Sequence, residues 1–138
     1  MRLAGALRHA LIERRESFVF ETVFSDPVGD KLGFLKRAAA SGYTVILCFI
    51  GLARAGISEE RVAMRVSQGG HDVPTEKLKS RFPRTLGNLR AALRELPHVL
   101  VHDNSDLRRP YRLIAVYQAG TCVERSADVP GWFRSLEP

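Results

Sequence analysis

The chain has 138 residues, 45% hydrophobic and 26% charged, which suits one domain with a real core and an ordinary globular composition. Its 21 Lys/Arg against 15 Asp/Glu leave a net charge of +6, so nucleic acid, acidic membrane surfaces and phosphorylated small molecules are all admissible partners. No apolar run nears the roughly 20 residues of a membrane span, and Arg2, Arg8, Glu13 and Glu16 leave no apolar core for a signal peptide.

In chain order, Leu3, Ala6, Leu7, Ala10 and Leu11 recur at helical spacing and predict a helix over about 2–16. The segment 17–22, S-F-V-F-E-T, is short, aromatic and β-branched, and predicts a strand. Asp26-Pro27 reads as a turn and helix start, and Leu32, Leu35, Ala38 and Ala39 carry that helix to Gly42. Residues 43–50 are apolar on both parities, as in a strand buried on both faces of a parallel sheet. Ser58, Glu59 and Glu60 start a further helix, which Gly69-Gly70 ends. The next begins near Pro74 or Thr75, and its apolar seam of Leu78, Phe82, Leu86, Leu89, Leu93 and Leu96 runs past Pro83, which predicts a kink. Strands follow at 98–102, 113–117 and about 121–124, and a closing helix over 130–136. The alternation predicts an α/β fold with a mostly parallel sheet. Cys48, inside an apolar run, reads as a buried thiol suited to a reducing, cytoplasmic setting, and neither Cys48 nor Cys122 has a metal spacing.

Ligands of parallel sheets sit at the C-terminal ends of the strands. Three such ends carry polar groups: Glu21-Thr22 with Ser25 and Asp26, then Gly51, then Asp103-Asn104-Ser105. Glu21 is placed to orient a substrate hydroxyl or take its proton, whereas Asp26 also reads as a helix cap. The charge has its own address. Residues 61–94 hold eight Lys/Arg and two acids, so the remainder of the chain is neutral. Arg61 and Arg65 share a helical face, and two guanidinium forks there can grip phosphate oxygens. With Gly69-Gly70, His71, Arg81 and Arg84 they compose a lid-like basic segment. His9, His98 and His102 form no metal constellation, and the aromatics do not interleave with bases as a nucleic-acid surface would. No G-x-x-x-x-G-K-[ST] occurs, and none of the 11 glycines precedes a lysine.

Taken together, S-F-V-F-E-T at 17–22, R-V-A-M-R-V-S-Q-G-G-H-D-V-P at 61–74, R-F-P-R-T-L-G-N-L at 81–89 and D-N-S at 103–105 resemble the zeta-toxin-like P-loop kinases, in the branch described as predicted ABC-type ATPases. The likeness runs over about 2–136. It implies one three-layer P-loop domain over 1–138 and ATP- and Mg²⁺-dependent phosphoryl transfer to a small-molecule hydroxyl, in the zeta toxins proper a UDP-N-acetyl amino sugar. It implies substrate contact for Glu21, with Thr22 and His71 beside it. Arg61 and Arg65, with Arg81 and Arg84, become catalytic lid arginines, and Asn104 and Ser105 lie near adenine. An antitoxin or a second copy is the protein partner it implies. The family's first strand, Walker A loop and catalytic base have no counterpart in the sequence, so this chain is expected not to phosphorylate an acceptor by itself. The rival reading is a non-catalytic module for protein binding or dimerisation, with an exposed sheet edge.

Overall fold

The computed structural model describes residues 3–26, 29–52 and 75–137, and of 75–81 the backbone alone. The elements are α1 (Leu3–Glu13), α2 (Asp30–Ala40), β1 (Ile46–Gly51), α3 (Thr75–Glu95), β2 (His98–Asp103), β3 (Arg112–Gln118), β4 (Thr121–Arg125) and α4 (Gly131–Arg134). The strands form one sheet in the order β1-β2-β3-β4. Only β1 and β2 run parallel, while β2–β3 and β3–β4 are antiparallel, which corrects the expectation of a mostly parallel sheet. The cause is local. Ala119-Gly120 forms a two-residue hairpin turn with φ of 50° and 83°, the sign such a turn requires, so β4 must return beside β3.

The segment 17–22 is not a strand. It lacks a ladder and is held by rings instead: Phe18 lies 6.3 Å from Tyr43, Phe20 lies 5.9 Å from Phe34, and the Arg8 guanidinium sits 4.8 Å from the Phe20 centroid. Its alternation is therefore real, but Val19 on the other side is 95% exposed. β1 likewise starts at Ile46 rather than at 43, and the Tyr43 hydroxyl lies 3.0 Å from the carbonyl oxygens of Leu11 and Glu16. As the edge of the sheet, β1 leaves Ile46 and Ile50 more than half exposed and Cys48 exposed too, against the expectation of burial on both faces.

The core lies on the other face of the sheet. Phe49 of β1, Val99 and Val101 of β2, and Ala115 and Tyr117 of β3 meet Leu89, Ala92, Leu93 and Leu96 from α3 and its end, with Leu32 of α2 and Trp132 and Phe133 of α4. Of the expected seam of α3, Leu89, Leu93 and Leu96 are buried, Phe82 and Leu86 are partly buried and the Leu78 side chain lies outside the described residues, and the helix runs through Pro83 without a break. α1 buries none of its residues. The helix expected over 58–69 falls outside the described residues.

Gly51 closes β1 against Trp132. A Cβ there would come within 2.4 Å of the indole Cη2 and Cζ2, so Gly51→Ala is expected to cost about 1–3 kcal/mol, measured as a lower urea midpoint. Burial first, and then the Cys122 side chain opposite, push the Tyr117 phenol up to about 12. The neutral phenol is thus favoured by folding. That stabilisation is complete below pH 10 and is lost as pH rises from 10 towards 12. Ultraviolet titration of the three tyrosines is expected to show one ionising well after the others.

Candidate functional site

The C-terminal ends of the parallel pair β1–β2 carry a built polar cluster. The Asn104 N–H donates to the Gly51 carbonyl at 2.9 Å and joins the two strand ends. Asp103, 5% exposed, is the centre of the cluster: its Oδ1 accepts from Trp132 Nε1 at 2.9 Å and from Ser105 Oγ at 2.6 Å. Its Oδ2 lies 3.9 Å from the Arg112 guanidinium, which also donates to the Asp128 carbonyl at 2.6 Å. A buried carboxylate with this many donors fixes what surrounds it.

Beyond it the loop 104–111 is organised by short-range bonds. Asn104 Oδ1 accepts the Tyr111 N–H at 3.1 Å. Asp106 accepts the Arg108 N–H at 2.9 Å and pairs with Arg109 at 3.3 Å, while Arg109 reaches Asp128 at 3.5 Å. The Arg108 amide first, and then Arg109, hold the Asp106 carboxyl below the usual carboxylate range.

The second cluster is the turn after segment 17–22. Three successive carbonyls there are gripped by α3: Asn88 Nδ2 donates to Phe24 at 2.9 Å and to Asp26 at 3.0 Å, and Arg84 Nε donates to Ser25 at 2.9 Å. Asp26 is a helix cap, its Oδ2 accepting the Asp30 N–H and, at 3.4 Å, that of Lys31. Its Oδ1 is buried without a hydrogen-bond partner. The two clusters are bridged by aromatic packing, with Phe24 to Phe49 at 6.5 Å and Phe49 to Trp132 at 6.0 Å between centroids.

The structure therefore brings Arg84 to the turn that follows Glu21 and Thr22, both of which are exposed, and Thr22 Oγ1 bonds only its neighbouring Val23 carbonyl at 3.2 Å among the bonds described. Arg84 holds backbone there, a positioning role beside the lid role expected of it. Asn104 and Ser105 stand at the strand ends as expected. Arg61, Arg65 and His71 lie outside the described residues, as does the side chain of Arg81. Asn88, Arg112, Tyr111 and Trp132 were not singled out as site residues by sequence reasoning. Asn88 had a faint signal, a weak helix former inside an otherwise strong helix, whereas Trp132 reads as core on composition alone.

The family model described as zeta toxin matches residues 1–113, which takes in both clusters up to the start of β3. The chain belongs to the zeta toxin family. The match is shorter than the resemblance over 2–136, so most of β3, all of β4 and α4 lie beyond it. No curated protein and no solved structure matches the chain. The family is one of nucleotide-binding, kinase-like proteins, and no helix among the described residues is long and apolar enough to cross a membrane.

The Mg²⁺ implied by that family finds no ligand set among the described residues, where no three His, Cys, Asp or Glu are placed to hold a metal. Asp103 is committed to Trp132, Ser105 and Arg112, and Asp26 spends one oxygen as a cap. No step through a metal is derived from this donor set.

In this zeta toxin family member the turn 24–26 is held by the Asn88 amide together with Arg84. Asn88→Ala is expected to lower stability by about 1–3 kcal/mol, because it removes both hydrogen bonds that the amide gives to the Phe24 and Asp26 carbonyls, and to speed hydrogen exchange across residues 22–26. Unchanged exchange there would show that Arg84 alone holds the turn.

Proposed function

We propose that the chain is the acceptor-binding and lid portion of an ATP-dependent phosphotransferase acting on a hydroxyl of a small phosphorylated molecule, of the UDP-N-acetyl amino sugar kind. The observation that carries the reading is the zeta toxin match over 1–113, a span that includes Glu21, the whole basic segment and the Asp-Asn-Ser loop. Glu21, Thr22 and His71 serve as the acceptor-binding residues. Arg61, Arg65 and Arg81 face the phosphoryl oxygens, where bidentate guanidinium bonds are strongest. Arg84 ties that basic segment to the acceptor turn through the Ser25 carbonyl, and Asn104 and Ser105 border the base of the nucleotide. A P-loop arrangement of the phosphates belongs to this proposal.

The 138 residues contain no Walker A loop, and phosphoryl transfer rests on that loop's backbone cradle and lysine. The chain alone is therefore expected to bind and not to catalyse. Isothermal titration with ATP-Mg²⁺ and with UDP-N-acetylglucosamine at low salt is expected to give binding of at least one, weakened on the order of tenfold or more in Arg65→Ala. Mass spectrometry of the mixture is expected to show no phosphorylated sugar. A phosphorylated product overturns the claim of inactivity, and a folded sample that binds neither compound overturns the reading itself.

A second reading, a non-catalytic module for protein binding or dimerisation, is favoured by the position of β1 at a sheet edge with Ile46 and Ile50 exposed. It predicts a dimer by light scattering at micromolar concentration that Ile50→Lys disperses, and a strict monomer overturns the dimer.

A further inference from the structure

Three non-glycine residues of the described chain have positive φ, and two of them are accounted for by the elements they end. Arg15, at 55°, closes α1: its N–H reaches the Ile12 carbonyl and the Glu16 N–H reaches Leu11, the usual left-handed helix cap. Ala119, at 50°, is half of the β3–β4 hairpin turn. Tyr111, at 51°, ends no helix; it is the last residue of the 104–111 connection between β2 and β3 and lies in no two-residue turn. It follows Pro110 and is fixed by the Asn104 side chain, and a bulky aromatic is poorly suited to this conformation. The ring gains little from the fold in return, since the residue is 59% exposed.

Where it stands gives the strained residue a use. Arg112 pairs with Asp103 across the β2–β3 ladder, so Tyr111 lies just past the C-terminal end of β2, the end to which Asn104 also ties β1. Arg108 and Arg109 share the same loop and are exposed, Arg109 held by Asp106 and Asp128. An exposed ring at the ligand end of a parallel strand pair offers a π-face to a flat heterocycle.

We propose that Tyr111 is a stacking platform for the base of the bound nucleotide, presented by the Asn104 hydrogen bond that holds its backbone in the left-handed region. This rests on the kinase-like reading above and adds to it the residue that grips the base. Either the nucleotide phosphate donor or a nucleotide-linked acceptor would present such a base, and stacking alone tolerates both.

The test is isothermal titration of wild type, Tyr111→Gly and Tyr111→Phe with ATP, UDP-N-acetylglucosamine and base-free tripolyphosphate, beside thermal unfolding of each protein. Tyr111→Gly is expected to weaken one of the two nucleotides on the order of tenfold and to leave tripolyphosphate unchanged. Its thermal midpoint is expected to match or exceed that of wild type, because glycine accepts this φ without strain. Tyr111→Phe, which keeps the ring, is expected to recover most of the lost affinity, and the nucleotide that responds names the source of the base. Equal nucleotide affinity in Tyr111→Gly and wild type, an equal loss for tripolyphosphate, or a lowered thermal midpoint each overturns the proposal. A folded wild type that binds neither nucleotide overturns the kinase-like reading, and the role of Tyr111 with it.

Discussion

The end of the sheet where ligands are expected is set by one contact, the seat of Trp132 on Gly51 with its indole N–H on Asp103. A side chain at 51 would push the indole away, and without the indole the buried carboxylate would lose one of its donors. Asp103 in turn orders Ser105 and stands beside Arg112, and Arg112 reaches the Asp128 carbonyl in the approach to α4. The closing helix and the strand ends therefore hold each other. Desolvating a carboxylate is costly unless it is fully bonded, so these partners are coupled more tightly than their separate hydrogen bonds suggest.

From that point a run of rings crosses the molecule. Tyr117, Phe133, Trp132, Phe49 and Phe24 follow one another at centroid distances of 5.9 to 6.5 Å, mostly edge to face. Such pairs add directional attraction to burial. They fix the distance between the strand ends and the turn at 24–26, which Asn88 and Arg84 hold from above. The polar groups that carry the proposed chemistry thus rest on apolar packing, and their backbone is pinned by side chains from elements distant in sequence.

Helix periodicity located α1, α2 and α3, but it did not always mark a buried face, since Leu3 and Leu7 of α1 are exposed. The seam Leu89, Leu93, Leu96 is buried as its spacing demands, and every expected strand after 98 exists, longer by one or two residues. Strand character earlier in the chain was legible only in part. Phe18 and Phe20 alternate with Val19 as a strand's residues do, yet alternation reports which side is apolar and says nothing of whether a ladder partner exists. β1 is apolar on both parities and still lies at an edge, because hydrophobicity does not distinguish a covered face from an exposed one. The direction of β4 turned on the two residues Ala119-Gly120, whose positive φ values make β3 and β4 antiparallel. The site was legible as types of residue at strand ends. The bonds that assemble it, Trp132 to Asp103 and Asn88 to Phe24, span 29 and 64 residues and have no local signature.

α3 joins the two halves of the proposed function. Its second half, from Leu89 on, is among the best buried parts of the molecule, while its first half continues the basic segment. Between them stands Pro83, which has no N–H for the carbonyl one turn earlier and so weakens the helix at one place. The residue just after that place, Arg84, grips the Ser25 carbonyl, and Asn88, one turn further on, grips the carbonyls on either side. A bend at Pro83 would therefore leave the acceptor turn anchored to the buried half while the basic half moves relative to it.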